Sequence, residues 1–220
     1  FLKVVVTAND GNGSSTQTAE SIRTSIANTA PVNSVVPAIS GTATVGNVLT
    51  TTAGTWSDTD GDTLTYSYQW YRAADAAGTG ATAITGATLA SYTLTTSDAH
   101  KFVKVVVTAN DANGSSTQTA ESAYTTIANT APVNSIVPAI SGTATVGNAL
   151  TVTSGTWSDT DSDTLTYSYQ WYRATDSSGT GATAISGATL TSYTLTTADA
   201  HKFLKVVVTA NDGNGSSTQT

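Results

Sequence analysis

The stretch FLKVVVTANDGNGSSTQT occupies residues 1–18 and returns unchanged at 203–220, and a copy with two substitutions, FVKVVVTANDANGSSTQT, occupies 102–119. The offset is 101 residues at each step, 102 − 1 and 203 − 102. Between these markers the copies stay aligned without a gap: ANTAPVNSVVPAISGTATVGN at 27–47 answers ANTAPVNSIVPAISGTATVGN at 128–148. Solenoid repeats run to about 20–50 residues, and each buries its apolar face only against its neighbours. A period of 101 is the size of a whole domain, so the chain reads as beads on a string: 1–29 closes a preceding repeat, 30–130 is a first repeat, and 131–220 is a second that stops before its last strand is complete. With no Met anywhere, residue 1 is not read as a native start, and the chain is read as part of something longer.

Each bead reads as all-β. Thr, Val, Tyr and Ile fill short runs punctuated by Pro and Gly, and no stretch carries a sustained helical stripe. PVNSVVPAI gives a first strand, and Pro37 marks it as an edge because proline cannot donate to a ladder. NVLTTTAGTW gives a second strand. In the third, TLTYSYQWYR, Leu64, Tyr66, Tyr68 and Trp70 share one face. ATAITG and SYTLTT follow as a short pair. KFVKVVVTAND and SSTQTAESAYTTIA close the bead as a hairpin, with Gly114 supplying a positive φ at the turn. About seven strands in about 100 residues is the pattern of a β-sandwich.

Composition narrows the function. An apolar share of 39% with only 10% charged residues suits a globular chain, not a disordered one. Eight Lys and Arg against a net charge of −7 leave no basic footprint for nucleic acid. Apolar runs such as Val105–Val107 are far too short to insert in a membrane as a helix. The absence of Cys removes disulfides, thiolate metal sites and Cys nucleophiles together.

YSYQWYR places a Trp on the third strand, and DAHKF at 98–102 precedes the sixth; both are similar to features of immunoglobulin-like domains. Together with ISGTATVGN, GTWSD, YQWYRA, ISGATLTSYTLTTADA and KVVVTANDGNGSS, they resemble the bacterial immunoglobulin-like repeats of very long surface and secreted proteins, including repetitive adhesins. The resemblance covers both repeats. It implies tandem immunoglobulin-like β-sandwiches without disulfides, placed outside the cell or on a bacterial surface. It also implies a stalk or spacer role, with neighbouring repeats of the same chain as partners and no enzymatic activity. The sequence departs from the pattern at Phe102 and Phe203, which stand where a corner Tyr would be. Trp70, Trp171 and the Val-rich strands are then left to hold each bead by burial.

The acidic loops carry the one candidate for ion chemistry. In a sandwich of this kind the second-to-third and sixth-to-seventh loops lie at the end where the chain enters. That end would gather Asp58, Asp60 and Asp62 with Asp111 and Asn113, beside the linker ANTAP at 27–31. The second bead repeats the set as Asp159, Asp161, Asp163, Asp212 and Asn214. Calcium takes six to eight oxygen ligands of this kind, and an ion there would stiffen the joint between beads. The same D-x-D-G-D string is also an ordinary solvated turn, and it is not an EF-hand, because the twelfth position from Asp58 is Gln69 where a bidentate Glu is required. Both readings stay open on sequence alone.

Other features are read more plainly. His100 and His201, one per bead, have no second His and no placed nucleophile, and read as loop histidines. Lys104 and Lys205 on the sixth strand read as solvated. NGS at 12–14, 113–115 and 214–216 matches the glycosylation acceptor pattern. Trp56, Tyr71 and Tyr92 read as core in preference to a sugar-binding patch. Two further functions remain beside the stalk: a self-assembling fibre, in which identical chains complete one another by strand exchange, and a weak multivalent module for glycan or protein.

Overall fold

The structure is a computed structural model that describes residues 1–13, 16–113, 117–215 and 217–220. It is all-β, made of short antiparallel strands and two single turns of 3-10 helix. Among the described residues no helix is long and apolar enough to cross a membrane. At the N-terminus β1 (Val5–Asn9) and β2 (Thr16–Glu20) pair, among the described residues, only with each other, and both are exposed along their length.

The first repeat contains β3 (Val32–Val35), β4 (Ile39–Gly41), β5 (Val48–Thr51), β6 (Thr55–Ser57), β7 (Thr65–Ala73), β8 (Thr82–Ala83) and β9 (Ser91–Thr93). A helical turn (Thr96–Asp98) leads to β10 (Phe102–Asn110), β11 (Thr117–Glu121) and β12 (Thr125–Thr126). The second repeats this order as β13 (Val133–Ile136), β14 (Ile140–Ser141), β15 (Ala149–Val152), β16 (Thr156–Ser158), β17 (Thr166–Ala174), β18 (Thr183–Ala184) and β19 (Ser192–Thr194). Its helical turn is Thr197–Asp199, followed by β20 (Phe203–Asn211) and β21 (Ser217–Gln219).

In the first repeat β4-β5-β9 form one sheet, and the same two chain stretches pair again as β3-β6 beyond a break. The other sheet runs β11-β10-β7-β8, with β12 also on β10. The core lies between them. Leu49 comes from the first sheet, Trp70, Val103, Val105 and Val107 from the second, and all five are fully buried. Along β10 burial alternates strictly, the period-2 pattern of a strand with one face on a core. The Trp70 indole N–H donates to the Leu89 carbonyl (2.9 Å) and its ring packs on Tyr92 at 5.7 Å between centroids, so the largest buried side chain keeps its one polar group satisfied.

The segments ATAITG and SYTLTT do not pair with each other. β8 lies on β7 and β9 on β5, in opposite sheets. The chain between them crosses over Trp70, whose backbone N–H donates to the Ala87 carbonyl at 3.0 Å, and the buried indole anchors that crossing.

The break between β3 and β4 falls at Pro37, and the partner stretch turns at Gly54, where φ is +83°. A Cβ on Gly54 would stand 2.3 Å from the Val35 carbonyl oxygen, and one on Gly155 would stand 2.2 Å from that of Ile136. Gly54→Ala combined with Gly155→Ala is therefore expected to cost on the order of 2 kcal/mol per repeat through backbone strain and loss of the edge pairing. Thermal melting checks this; Gly46→Ala, whose Cβ meets nothing within 4 Å, is expected to cost less.

The two repeats differ at their far ends. In the first, Ile127 is 2% exposed, its N–H donates to the Lys101 carbonyl (2.9 Å), and the Ala128 N–H donates to that of Ala43 (2.8 Å). In the second, a cleft of about 540 Å³ opens between the sheets at Ile140, Leu150, Leu195 and Leu204, and Phe203 is 50% exposed.

Candidate metal centre at the joints between repeats

The acidic loops are built by short polar turns. Asp58 Oδ1 accepts the backbone N–H of Asp60 (2.8 Å), and Asp111 Oδ1 accepts that of Asn113 (2.9 Å). Such side-chain-to-backbone bonds two residues on are the turn chemistry of aspartate. The left-handed position in the first loop is Gly61 (φ +80°) and in the second Ser162 (φ +64°), so the conformation persists without glycine.

The linker is tied into both loops. Asn28 donates its side-chain amide to Asp111 Oδ2 and to the Asn113 carbonyl, each at 2.9 Å, and the Thr29 N–H donates to Asp60 Oδ2 at 2.7 Å. Asp58, Asp62 and Asp111 bring carboxylate oxygens within 4.8 Å of one another. Asp60 stands outside that triple, held by the linker. Asn113 takes part through its backbone N–H and carbonyl. The Asn113 N–H, and then the Asn28 amide, hold the Asp111 carboxyl below the usual carboxylate range.

The second joint repeats the plan. Asn129 donates to Asp212 Oδ2 (2.8 Å), Asp212 Oδ1 accepts the Asn214 N–H (2.8 Å), and Asp161 Oδ2 accepts both the N–H (2.6 Å) and the hydroxyl (2.9 Å) of Thr130. Asp159, Asp163 and Asp212 form the matching triple. The two repeats also touch here: His100 Nε2 of the first repeat lies 3.0 Å from both carboxylate oxygens of Asp163 in the second. The end of one repeat thus covers the acidic loop of the next. Asp161 is accordingly 4% exposed.

Among the described residues, four buried oxygens in these joints have no hydrogen-bond donor: Asp58 Oδ2 in the first, and Asn129 Oδ1, Asp159 Oδ2 and Asp161 Oδ1 in the second. A buried acceptor left without a donor is costly. Among the described residues no Lys or Arg makes an ion pair with Asp58, Asp60, Asp62, Asp111, Asp159, Asp161 or Asp163. Convergent carboxylates and orphaned oxygens make a donor set that fits a hard, oxygen-seeking cation.

The remaining candidates have separate neighbours. Trp56 packs on Tyr66 at 6.4 Å, Tyr71 lies by Lys104, and Tyr92 lies on Trp70, so the three aromatics do not line one patch. Lys104 forms an ion pair with Glu121 and sits over the Tyr71 and Tyr124 rings, with 15% of its side chain exposed; the Glu121 bond holds its ammonium above the usual lysine range. Asn12, Asn113 and Asn214 of the NGS motifs are exposed, while Ser14, Ser115, Ser216 and the turn residue Gly114 lie outside the described residues.

Sequence reasoning missed two constellations. One is His100 against Asp163. The other is a buried carboxylate, Asp98, gripped by Arg72, Tyr92 and Thr95 and repeated in the second unit as Asp199 with Arg173, Tyr193 and Thr196. The available signal for the latter was the recurrence of Arg, Tyr, Thr and Asp at the same four places in each repeat. A scan against known protein families and a search of the curated proteins each return no match.

Proposed function

We infer that the chain is a spacer segment from a long bacterial surface or secreted protein, built from immunoglobulin-like repeats whose joints are stiffened by calcium. The observation that carries the reading is the joint itself. The linker is hydrogen-bonded to both acidic loops of the repeat it enters, and three carboxylates converge there with buried oxygens that lack donors. The division of strands, with the first, second and fifth facing the third, fourth, sixth and seventh, supports the resemblance to immunoglobulin-like units.

Near-identical units in tandem suit a part whose task is length, because a stalk needs many similar beads. Like charges crowded at a joint repel and loosen it. Calcium would draw Asp58, Asp62 and Asp111 together at one joint and Asp159, Asp163 and Asp212 at the other, turning a hinged string into a rod.

Calcium at about a hundred times its dissociation constant is expected to stabilise the protein by about 2.7 kcal/mol. The expected result is a higher melting temperature in calcium than in chelator, with a longer maximum dimension in solution scattering. Equal melting curves and equal dimensions in the two conditions would refute the calcium joint. Isolated rods from longer repeat arrays in electron microscopy test the spacer role; ordered filaments would favour the fibre.

A further inference from the structure

His100 extends the second joint beyond an oxygen-only site. Its Nε2 lies 3.0 Å from each oxygen of Asp163. An oxygen of Asp161 completes a group of three donor atoms, all within 4.8 Å of one another. Asp161 is 4% exposed and, among the described residues, its Oδ1 is buried without a donor, so one of the three residues carries a deeply buried acceptor with unmet demand. A protonated imidazole satisfies Asp163 alone and leaves that oxygen unpartnered.

We propose that His100, Asp161 and Asp163 form a divalent transition-metal site of the zinc class, bridging the two repeats beside the calcium-type cluster. Imidazole nitrogen suits zinc and its neighbours in the first transition row, while calcium prefers oxygen. Donors about 2.1 Å from a tetrahedral ion stand about 3.4 Å apart. The His100–Asp163 spacing of 3.0 Å meets this with a shift of about 0.4 Å once the imidazole turns its lone pair inward, and the Asp161 oxygen, within 4.8 Å of both, has to close by at most about 1.4 Å. Asp163 belongs to both groups, so its two oxygens can face different ions. Three protein donors leave one position open for water.

The proposal goes beyond the calcium reading and is tested apart from it. Zinc binding to the full chain is measured by calorimetry with calcium saturating, and cobalt is used as a coloured substitute that reports nitrogen and oxygen donors. One zinc per chain is expected. His100→Asn, chosen because Asn tolerates the left-handed backbone that His100 adopts (φ +58°), is expected to weaken zinc at least about tenfold. Asp161→Asn is expected to do the same. His201→Asn, at the equivalent residue outside this group, is expected to leave zinc unchanged. No zinc uptake by the parent chain, or equal affinity in the parent and both joint variants, overturns the site. Calcium binding by the parent chain reads the other proposal separately: if the parent takes up calcium and no zinc, only the zinc site is overturned.

Discussion

Replacing Arg72 and Arg173 together by Met is expected to cost about 3 kcal/mol in each repeat, lowering the melting temperature by about 12–24 °C. Asp98 is completely buried and accepts from Arg72 Nε (2.7 Å) and Nη2 (2.6 Å), the Tyr92 hydroxyl (2.8 Å), and the N–H (2.7 Å) and hydroxyl (2.9 Å) of Thr95. Removing the guanidinium leaves a carboxylate in the protein interior with its neutral donors only. Breaking a buried pair in this way costs about 3–5 kcal/mol. The Arg72 side chain is 24% exposed, which places the effect at the lower end. Changing both repeats at once removes any need to assign a transition to one of them. A loss under about 1 kcal/mol per repeat would mean that the neutral donors suffice.

The same network has a definite pH signature. Burial pushes the Asp199 carboxyl up, but the Thr196 N–H, the Arg173 guanidinium, and the Thr196 and Tyr193 hydroxyls outweigh it and hold the group below the usual range. A carboxylate depressed in the folded state stabilises it above the unfolded value of about 4, and that contribution fades as pH falls through the folded value. The parent chain is therefore expected to lose stability below about pH 4, and the gap between parent and Met variant to narrow over the same range. A gap constant with pH would show that the arginines act by packing alone.

Extending the chain at Thr220 with AESAYTTIA, the sequence of 120–128, is expected to raise the stability of the second repeat by on the order of 2 kcal/mol. That figure is the net of apolar burial and the cost of ordering the added residues. In the first repeat the Ser122 N–H donates to the Val105 carbonyl (3.0 Å) and the Ser122 hydroxyl accepts from the Val105 N–H (3.0 Å), while the N–H groups of Ile127 and Ala128 donate to the carbonyls of Lys101 and Ala43. The equivalents of Lys101 and Ala43, namely Lys202 and Ala144, line the open cleft of the second repeat. Melting of the extended chain checks the prediction. The same extension with Asp in place of its isoleucine is expected to give little, since a charge cannot occupy an apolar slot cheaply. Equal gains from both extensions would show that the added strand, and not the filled cleft, is responsible.

Strands and core were legible because their causes are local. The Val run of β10, the aromatics of β7 and the Pro37 break act over a few residues, and alternation with period 2 states which face is buried. The segments at 82–83 and 91–93 were not legible as members of opposite sheets. Two short polar strands in sequence look like a pair, and only the chain crossing over Trp70 separates them. The acidic loops could be read as a group, yet their sequence does not say which oxygens the linker takes. Asp60 goes to Thr29, whereas Asp58, Asp62 and Asp111 converge.

The amino-acid sequence by itself determined the 101-residue period, the all-β character and the indole at the centre of each bead, because repetition and burial patterns are written in residue order. The tertiary structure alone decided what the buried and facing charges do. Asp98 finds Arg72 because a helical turn drops it beside a strand 26 residues away in sequence. His100 meets Asp163, 63 residues on, because the last corner of one repeat abuts the first loop of the next. That contact belongs to neither repeat alone, so no reading of a single repeat contains it.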